Sequence, residues 1–440
     1  MKSSVFSGRS RSESGSQRVA VGVLLGGLLL GGCQSAESDT GSTELRNGTG
    51  TLQQIQNFGA NPGGLQMFLY APDTVAPDAP VVVLMHGCTQ QVSTFRTSGW
   101  EALADDEGFY LVYPQQTTGN NPVRCFNWAG EYGDEANLVR GQGENQSIVS
   151  MVDYVLDNFA TDEDRVFAVG FSAGAAKTAV MLSTWPDRFA GGAINAGVPY
   201  RCATSVTGAF SCQNPGRNLS PSQWGDLVRN AYVTYEGPYP RVSIWHGTQD
   251  SIVAPMNGVE LAEQWSNVHG ISSTPSSTDV VDGQSRDRYD SGGELLVEHV
   301  TVSSMGHALA IDPSSGCGGA AAYMDDRGVC AAYRQAEFFG LLGDGAGSAG
   351  TSSSSSGGES AGAETGGNSS GGESSGGSGE TGDSITADEV ANGSCTIHYV
   401  SQRLDVAGYL GCGSTYGYIA QVPMYRFGSC WTFDESGSGC

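Results

Sequence analysis

A serine hydroxyl can carry acyl transfer only when it is exposed and a base stands beside it. One serine is set for exposure: Ser172, within the stretch RVFAVGFSAGAAK from Arg165 to Lys177. The stretch reads as a short apolar strand, a tight turn flanked by Gly170 and Gly174, and an alanine-rich helix. The two glycines omit side chains where strand and helix come together, which lets the serine sit in a strained turn. The G-x-S-x-G pattern alone carries little weight in a chain with 65 glycines. It recurs around Ser360, Ser369 and Ser374, but there among Gly, Ser and acidic residues, with no strand before and no helix after. Context singles out Ser172.

The strand–turn–helix resembles the nucleophile elbow of α/β-hydrolases, where the partners follow in the order serine, acid, histidine. Before residue 343, four histidines follow Ser172: His246, His269, His299 and His307, with His398 in the tail. His246 follows a predicted strand and precedes the acid candidate, so its order is wrong. His269 lies at a helix end, and His299 falls inside the strand LLVEHVTV, where a structural role fits better. His307 lies in a loop after that strand, free to reach over the elbow. Asp250 ends SIWHGTQD at a strand's carboxyl end, whereas Asp279, Asp282, Asp287 and Asp290 sit in a polar stretch and read as solvated carboxylates. Asp250 is therefore the expected orienter of His307. Backbone N–H groups of Ala173, next to the serine, and of Cys88, after His86-Gly87, are the expected oxyanion donors.

These residues need a rigid frame. At 440 residues the chain allows one large domain of about 250–300 residues with appendages. Val81–Met85 and Phe109–Tyr113 are apolar runs of the kind found in strands buried on both faces, the second ended by Pro114. Met67–Tyr70, Gly191–Ala196, Val242–Trp245 and Leu295–Val302 are further predicted strands. Helices are predicted over 97–106, 144–160, 259–268 and 321–342. Residues 115–143 form a long loop, and 200–240 read as an excursion over the sheet's carboxyl edge. The alternation predicts an α/β fold with a mostly parallel, doubly wound sheet.

The formal charge of −25, without basic clusters, argues against nucleic acid and against charge-driven binding to anionic lipid. Lys2, Arg9, Arg11 and Arg18 precede an apolar run from Val19 to Gly32 that is short for a membrane span and ends at Cys33. Leu30-Gly31-Gly32-Cys33 resembles the bacterial lipoprotein cleavage box. Residues 1–33 are thus expected to be a signal with Cys33 lipidated, so that any membrane attachment is an anchor at the bacterial cell surface rather than a span; the alternative is ordinary signal cleavage before Glu37, with Cys33 lost and the protein extracellular. Residues 34–50 read as a tether, 51–342 as the catalytic domain and 343–389 as a flexible acidic Gly/Ser linker. Residues 390–440 read as a small Cys- and aromatic-rich module, whose aromatics serve either to hold a polymer or to build the module's own core.

Eleven cysteines become ten once Cys33 is set aside. Even counts in each part of an exported chain read as disulfides. Proximity suggests Cys202–Cys212 and Cys317–Cys330, which leaves Cys88–Cys125; the tail holds Cys395, Cys412, Cys430 and Cys440. No C-x-x-C pair appears, so no zinc site is expected.

LMHGCTQ, NNPVRCFNWAG, RVFAVGFSAGAA, AGVPYRCA, SQWGDLVRNA and SIWHGTQDSIV occur in the order found in polyhydroxybutyrate-depolymerase-type esterases, which the chain resembles over roughly residues 50–340. The resemblance implies an α/β-hydrolase with a triad at Ser172, Asp250 and His307, a backbone donor at Cys88, and no cofactor or metal. It implies an ester substrate, poly(3-hydroxybutyrate)-type polyester or short-chain esters, with acetyl or feruloyl esters on plant polysaccharide as the alternative. The chain departs from the family in the loop after His307, Ala308–Ile311, where relatives often carry Pro or Gly. Trp128, Tyr200 and Phe210 are candidate aromatic substrate contacts. An inactive hydrolase-fold adhesion lipoprotein and a peptidase of the same fold are the competing classes; the complete Ser/Asp/His set opposes the first and the resemblance the second.

Overall fold

The computed structural model describes residues 48–130 and 135–343, together with the backbone of 389–394, 421–427 and 430–432. The expected signal, Cys33, most of the tether and linker, and the tail's cysteine pairings lie outside the described residues.

The chain begins with strands β1 (Thr51–Ile55), β2 (Gln66–Ala71) and β3 (Ala79–Met85), helices α1 (Val92–Phe95) and α2 (Trp100–Glu107), and β4 (Tyr110–Gln115). After a long loop come α3 (Gly143–Asn158), β5 (Thr161–Phe171), α4 (Ala173–Thr184) and β6 (Gly191–Asn195). Two helices, α5 (Val206–Gln213) and α6 (Pro221–Arg229), precede β7 (Arg241–Gly247) and α7 (Met256–Val268). Then follow β8 (Ser277–Val281), β9 (Gln284–Ser291), β10 (Glu294–Val302), β11 (Leu309–Ile311), β12 (Met324–Asp326) and α8 (Ala331–Phe339). The described tail residues form a separate antiparallel sheet of β13 (Glu389–Ser394), β14 (Gln421–Phe427) and β15 (Cys430–Thr432).

The main sheet has ten strands in the order β1-β2-β4-β3-β5-β6-β7-β10-β9-β8. From β4 to β10 all neighbours are parallel, and an antiparallel pair closes each edge. Alternate residues of β3 show why the run is wholly apolar. Val81, Val83 and Met85 enter the core shared with α3, α4, α6 and α7, while Val82 and Leu84 enter the core shared with α1, α2 and α8. Both faces are covered, and each buried valine or leucine contributes about 1.5–3 kcal/mol by leaving water. Because the central strands are parallel, the turns after β3, β5, β7 and β10 gather at one edge.

Four local expectations need correction. Strand β4 runs through Pro114 to Gln115, because its pairing with β3 stops at Val112 and asks for no donor at Pro114. The polar stretch 277–291 is the β8–β9 hairpin, whose exposed edge needs no apolar alternation; Asp279 is ion-paired to Arg286 and Asp282 to Arg334. The last helix starts at Ala331 and not near 321, because 324–326 pair in parallel with β11 and Cys330 caps the helix by accepting from Tyr333 N–H. Residues 309–311 are therefore a buried strand and not loop. The excursion at 200–240 contains α5 and α6, and Trp224 of α6 is buried, its indole N–H donating to Glu260 on α7.

Candidate active site

Ser172 lies between β5 and α4 with φ 54° and ψ −120°, a backbone conformation that L-residues rarely adopt. Steric exclusion fixes the turn. A Cβ on Gly170 would lie 2.2 Å from the Gly174 carbonyl oxygen, and one on Gly174 would lie 2.1 Å from that of Met85. A polar clip supports it from the next strand: Ser172 N–H donates to Asn195 O, Asn195 Nδ2 to Gly170 O, and Gln335 of α8 to Asn195 Oδ1.

The three residues predicted to act together are in contact. His307 Nε2 is 2.8 Å from Ser172 Oγ, and His307 Nδ1 is 2.7 Å from Asp250 Oδ2. The other Asp250 oxygen accepts the N–H groups of Ile252 and Val253, both at 2.9 Å. Burial pushes the Asp250 carboxyl up, but hydrogen bonds and charge from His246 and His307 outweigh it and hold it well below the usual carboxylate range. His307 is flanked by the rings of Phe171 and Tyr323, with centroids 4.9 and 6.0 Å away. The loops carrying acid and base are tied by Thr248 N–H to Val302 O and Gln249 N–H to Met305 O.

His246, set aside on chain order, stands behind the acid. Its Nε2 donates to Val253 O at 2.9 Å and lies 3.5 Å from Asp250 Oδ2. Order along the chain excluded it as the base, and nothing in the sequence marked it as a support. His299 is within the core, where burial lowers it to about 4, and His269 caps α7, its Nε2–H donating to Pro240 O.

The second wall is the turn after β3. Buried His86 bridges it: Nδ1 is 2.7 Å from Gly87 O, and Nε2 accepts Gln116 N–H at 3.2 Å. A backbone N–H can only donate, so the ring is the neutral Nδ1–H tautomer. Burial, with a smaller contribution from the charge of Arg124, lowers His86 to about 4. With the Gly87 carbonyl held by His86, the planar peptide turns the Cys88 N–H the opposite way, and that N–H has no acceptor among the described residues. Ala173 is the first residue of α4, so its N–H has no acceptor within the helix either. The two groups are the expected oxyanion donors, and both are uncommitted.

Disulfides join Cys88 to Cys125, Cys202 to Cys212 and Cys317 to Cys330. The first ties the donor loop to segment 121–128, which also accepts Thr89 N–H at Val123 O. Beneath that segment, buried Glu144 accepts from Gln116, from Asn127 N–H and from Asn127 Nδ2, and pairs with Lys177 of the elbow helix at 3.3 Å. Of the aromatic candidates, Trp128 and Tyr200 are 5% and 1% exposed and pack in the core, the Tyr200 hydroxyl donating to Leu138 O. Phe210 on α5 is half-buried.

Comparison with known proteins agrees with this geometry. A family model described as Esterase PHB depolymerase matches residues 65–287, which include Ser172 and Asp250. Poly(3-hydroxyalkanoate) depolymerase C of Paucimonas lemoignei is 48% identical over 378 residues, covering 85% of this chain and 87% of its own. An acetylxylan esterase of Coprinopsis cinerea is 37% identical over 61% of this chain and 71% of its own. Among solved structures, an acetyl xylan esterase from Aspergillus awamori superposes with a TM-score of 0.57 at 25% identity, over 67% of this chain and all of that one. A family match across half the chain and near-half identity along most of two full chains make this protein a carboxylic ester hydrolase of the esterase PHB depolymerase family.

Proposed function

We propose that this enzyme cleaves 3-hydroxyalkanoate polyester through an acyl-enzyme on Ser172. The observation that carries the reading is the unbroken chain from Ser172 Oγ through the His307 ring to Asp250 Oδ2. As Ser172 Oγ attacks the ester carbonyl, its proton passes to His307 Nε2. Asp250 holds Nδ1–H and stabilises the imidazolium without taking its proton. The N–H groups of Cys88 and Ala173 receive the oxyanion. His307 then protonates the departing alcohol, and a water molecule that gives its proton to His307 releases the acid and restores the serine.

Polyester is favoured over plant-wall esters by the extent of likeness. Eighty-five per cent of this chain is more than residues 1–342 contain, so the match to the depolymerase continues past Leu342, while the acetylxylan esterase match covers only 61%. The basic and apolar leader ending at Cys33 supports export with a lipid anchor. The test is the full chain assayed on poly(3-hydroxybutyrate) granules, acetylated xylan and p-nitrophenyl esters, with and without Ser172→Ala. Hydrolysis should fall about 10⁴-fold or more in the variant, along with loss of fluorophosphonate labelling. Undiminished hydrolysis would sink the mechanism, and xylan deacetylation without granule cleavage would overturn the substrate. Cys33→Ser should release the protein from the membrane fraction; unchanged partitioning would refute the anchor.

A further inference from the structure

Arg124 is anomalous. Every other described arginine gives its guanidinium to a carboxylate or a backbone carbonyl, as Arg140 does to Asp187, Arg201 to Glu135, Arg217 to Cys202 O and Arg241 to Phe338 O. Arg124 has no acceptor among the described residues, and its Nε is buried without a partner. Carboxylates are not scarce: the chain has 46 acidic residues against 21 basic ones. A partly desolvated guanidinium left unpaired costs free energy that a ligand anion would recover.

Its placement is specific. The residue is half-buried, and it stands between two attachments to the donor loop, Val123 O with Thr89 N–H and Cys125 with Cys88. Its charge acts on the His86 ring, which orients that loop. Its φ of 53° is a left-handed backbone conformation that an L-residue rarely adopts and that persists where the surroundings impose it. A fixed, unpaired, half-open guanidinium beside the oxyanion loop suits a planar anion carried by the substrate itself.

We propose that Arg124 binds the free carboxylate end of a hydroxyacyl ester chain, so that the enzyme prefers oligomers whose acid terminus is near the scissile bond. The released hydroxyacid carries the same group and competes for the same place. The inference rests on the polyester reading, and its test separates the two. A 3-hydroxybutyrate trimer with a free carboxylate and its methyl ester are compared in wild type, Arg124→Gln and Arg124→Lys. In wild type the free acid is favoured in kcat/KM, and added salt weakens the preference. The free-acid to methyl-ester ratio should fall about 10- to 100-fold in Arg124→Gln and recover in part in Arg124→Lys. The ratio is taken within one preparation, so partial misfolding does not shift it. Each trimer is also tested as an inhibitor of p-nitrophenyl butyrate hydrolysis, which reads binding even where neither trimer is cleaved. Cleavage of neither trimer speaks against the polyester substrate. A free-acid to methyl-ester ratio in cleavage or inhibition that does not change in Arg124→Gln overturns the role of Arg124.

Discussion

The two walls of the site are built by different physics. At the elbow, backbone atoms crowd so closely that only glycine fits at 170 and 174, and the position of Ser172 follows from local exclusion. At the donor loop nothing comparable is local. Cys88 is held by a disulfide from 37 residues away, by the His86 ring, and by a segment anchored on Glu144 and Lys177. The nucleophile is placed by what cannot fit, and the oxyanion donor by what is tied. The first kind of placement is all-or-none; the second should loosen by degrees.

Substitutions can break that contrast. Gly174→Ala puts a methyl against the Met85 carbonyl and must displace the elbow, so kcat/KM should drop about 100-fold or more while circular dichroism stays that of an α/β protein. A drop of less than threefold would mean that the elbow yields easily and the contrast fails. Replacing Cys88 and Cys125 together with alanine frees the donor loop but keeps both backbone N–H groups. Turnover should fall about tenfold, with about 2–4 kcal/mol lost in urea unfolding. If turnover falls as far as in Gly174→Ala, the disulfide is as strict as the glycines.

The smallest effect concerns protons. His86 is neutral when folded and lowered to about 4 by burial, so between pH 6.5 and 4 the unfolded chain binds the proton first and stability falls as pH falls. The loss is up to about 3 kcal/mol, and His299, lowered to a similar value, adds its own share. Asp250 behaves otherwise: its carboxyl is depressed, so its contribution persists until the pH drops below the ordinary carboxylate range. Urea unfolding at pH 7 and 4.5 should show a shallower acid loss in His86→Gln than in the wild type; identical slopes would mean that the ring is not the neutral clasp described.

How far the sequence reveals the molecule follows the same division. The apolar runs that became β3, β5 and β7 were legible because both faces of the parallel sheet are covered. The order of Ser172, Asp250 and His307 could be read because each follows a strand of that sheet. The β8–β9 hairpin was hidden, since an exposed edge strand lined by Asp279 and Arg286 has no hydrophobic period. The start of α8 was hidden by the Cys317–Cys330 loop, whose course depends on pairing with β11. His246 behind Asp250, and Glu144 beneath Asn127, act through contacts between segments that no local pattern announces.

The Lys177–Glu144 pair has a further consequence. Lys177 is fully buried, and the sequence's other lysine, Lys2, lies outside the described residues. The described body therefore presents no side-chain primary amine to solvent. Reagents that couple through amines, whether dyes, cross-linkers or activated supports, have no target on it, and attachment through its carboxylates is the workable chemistry.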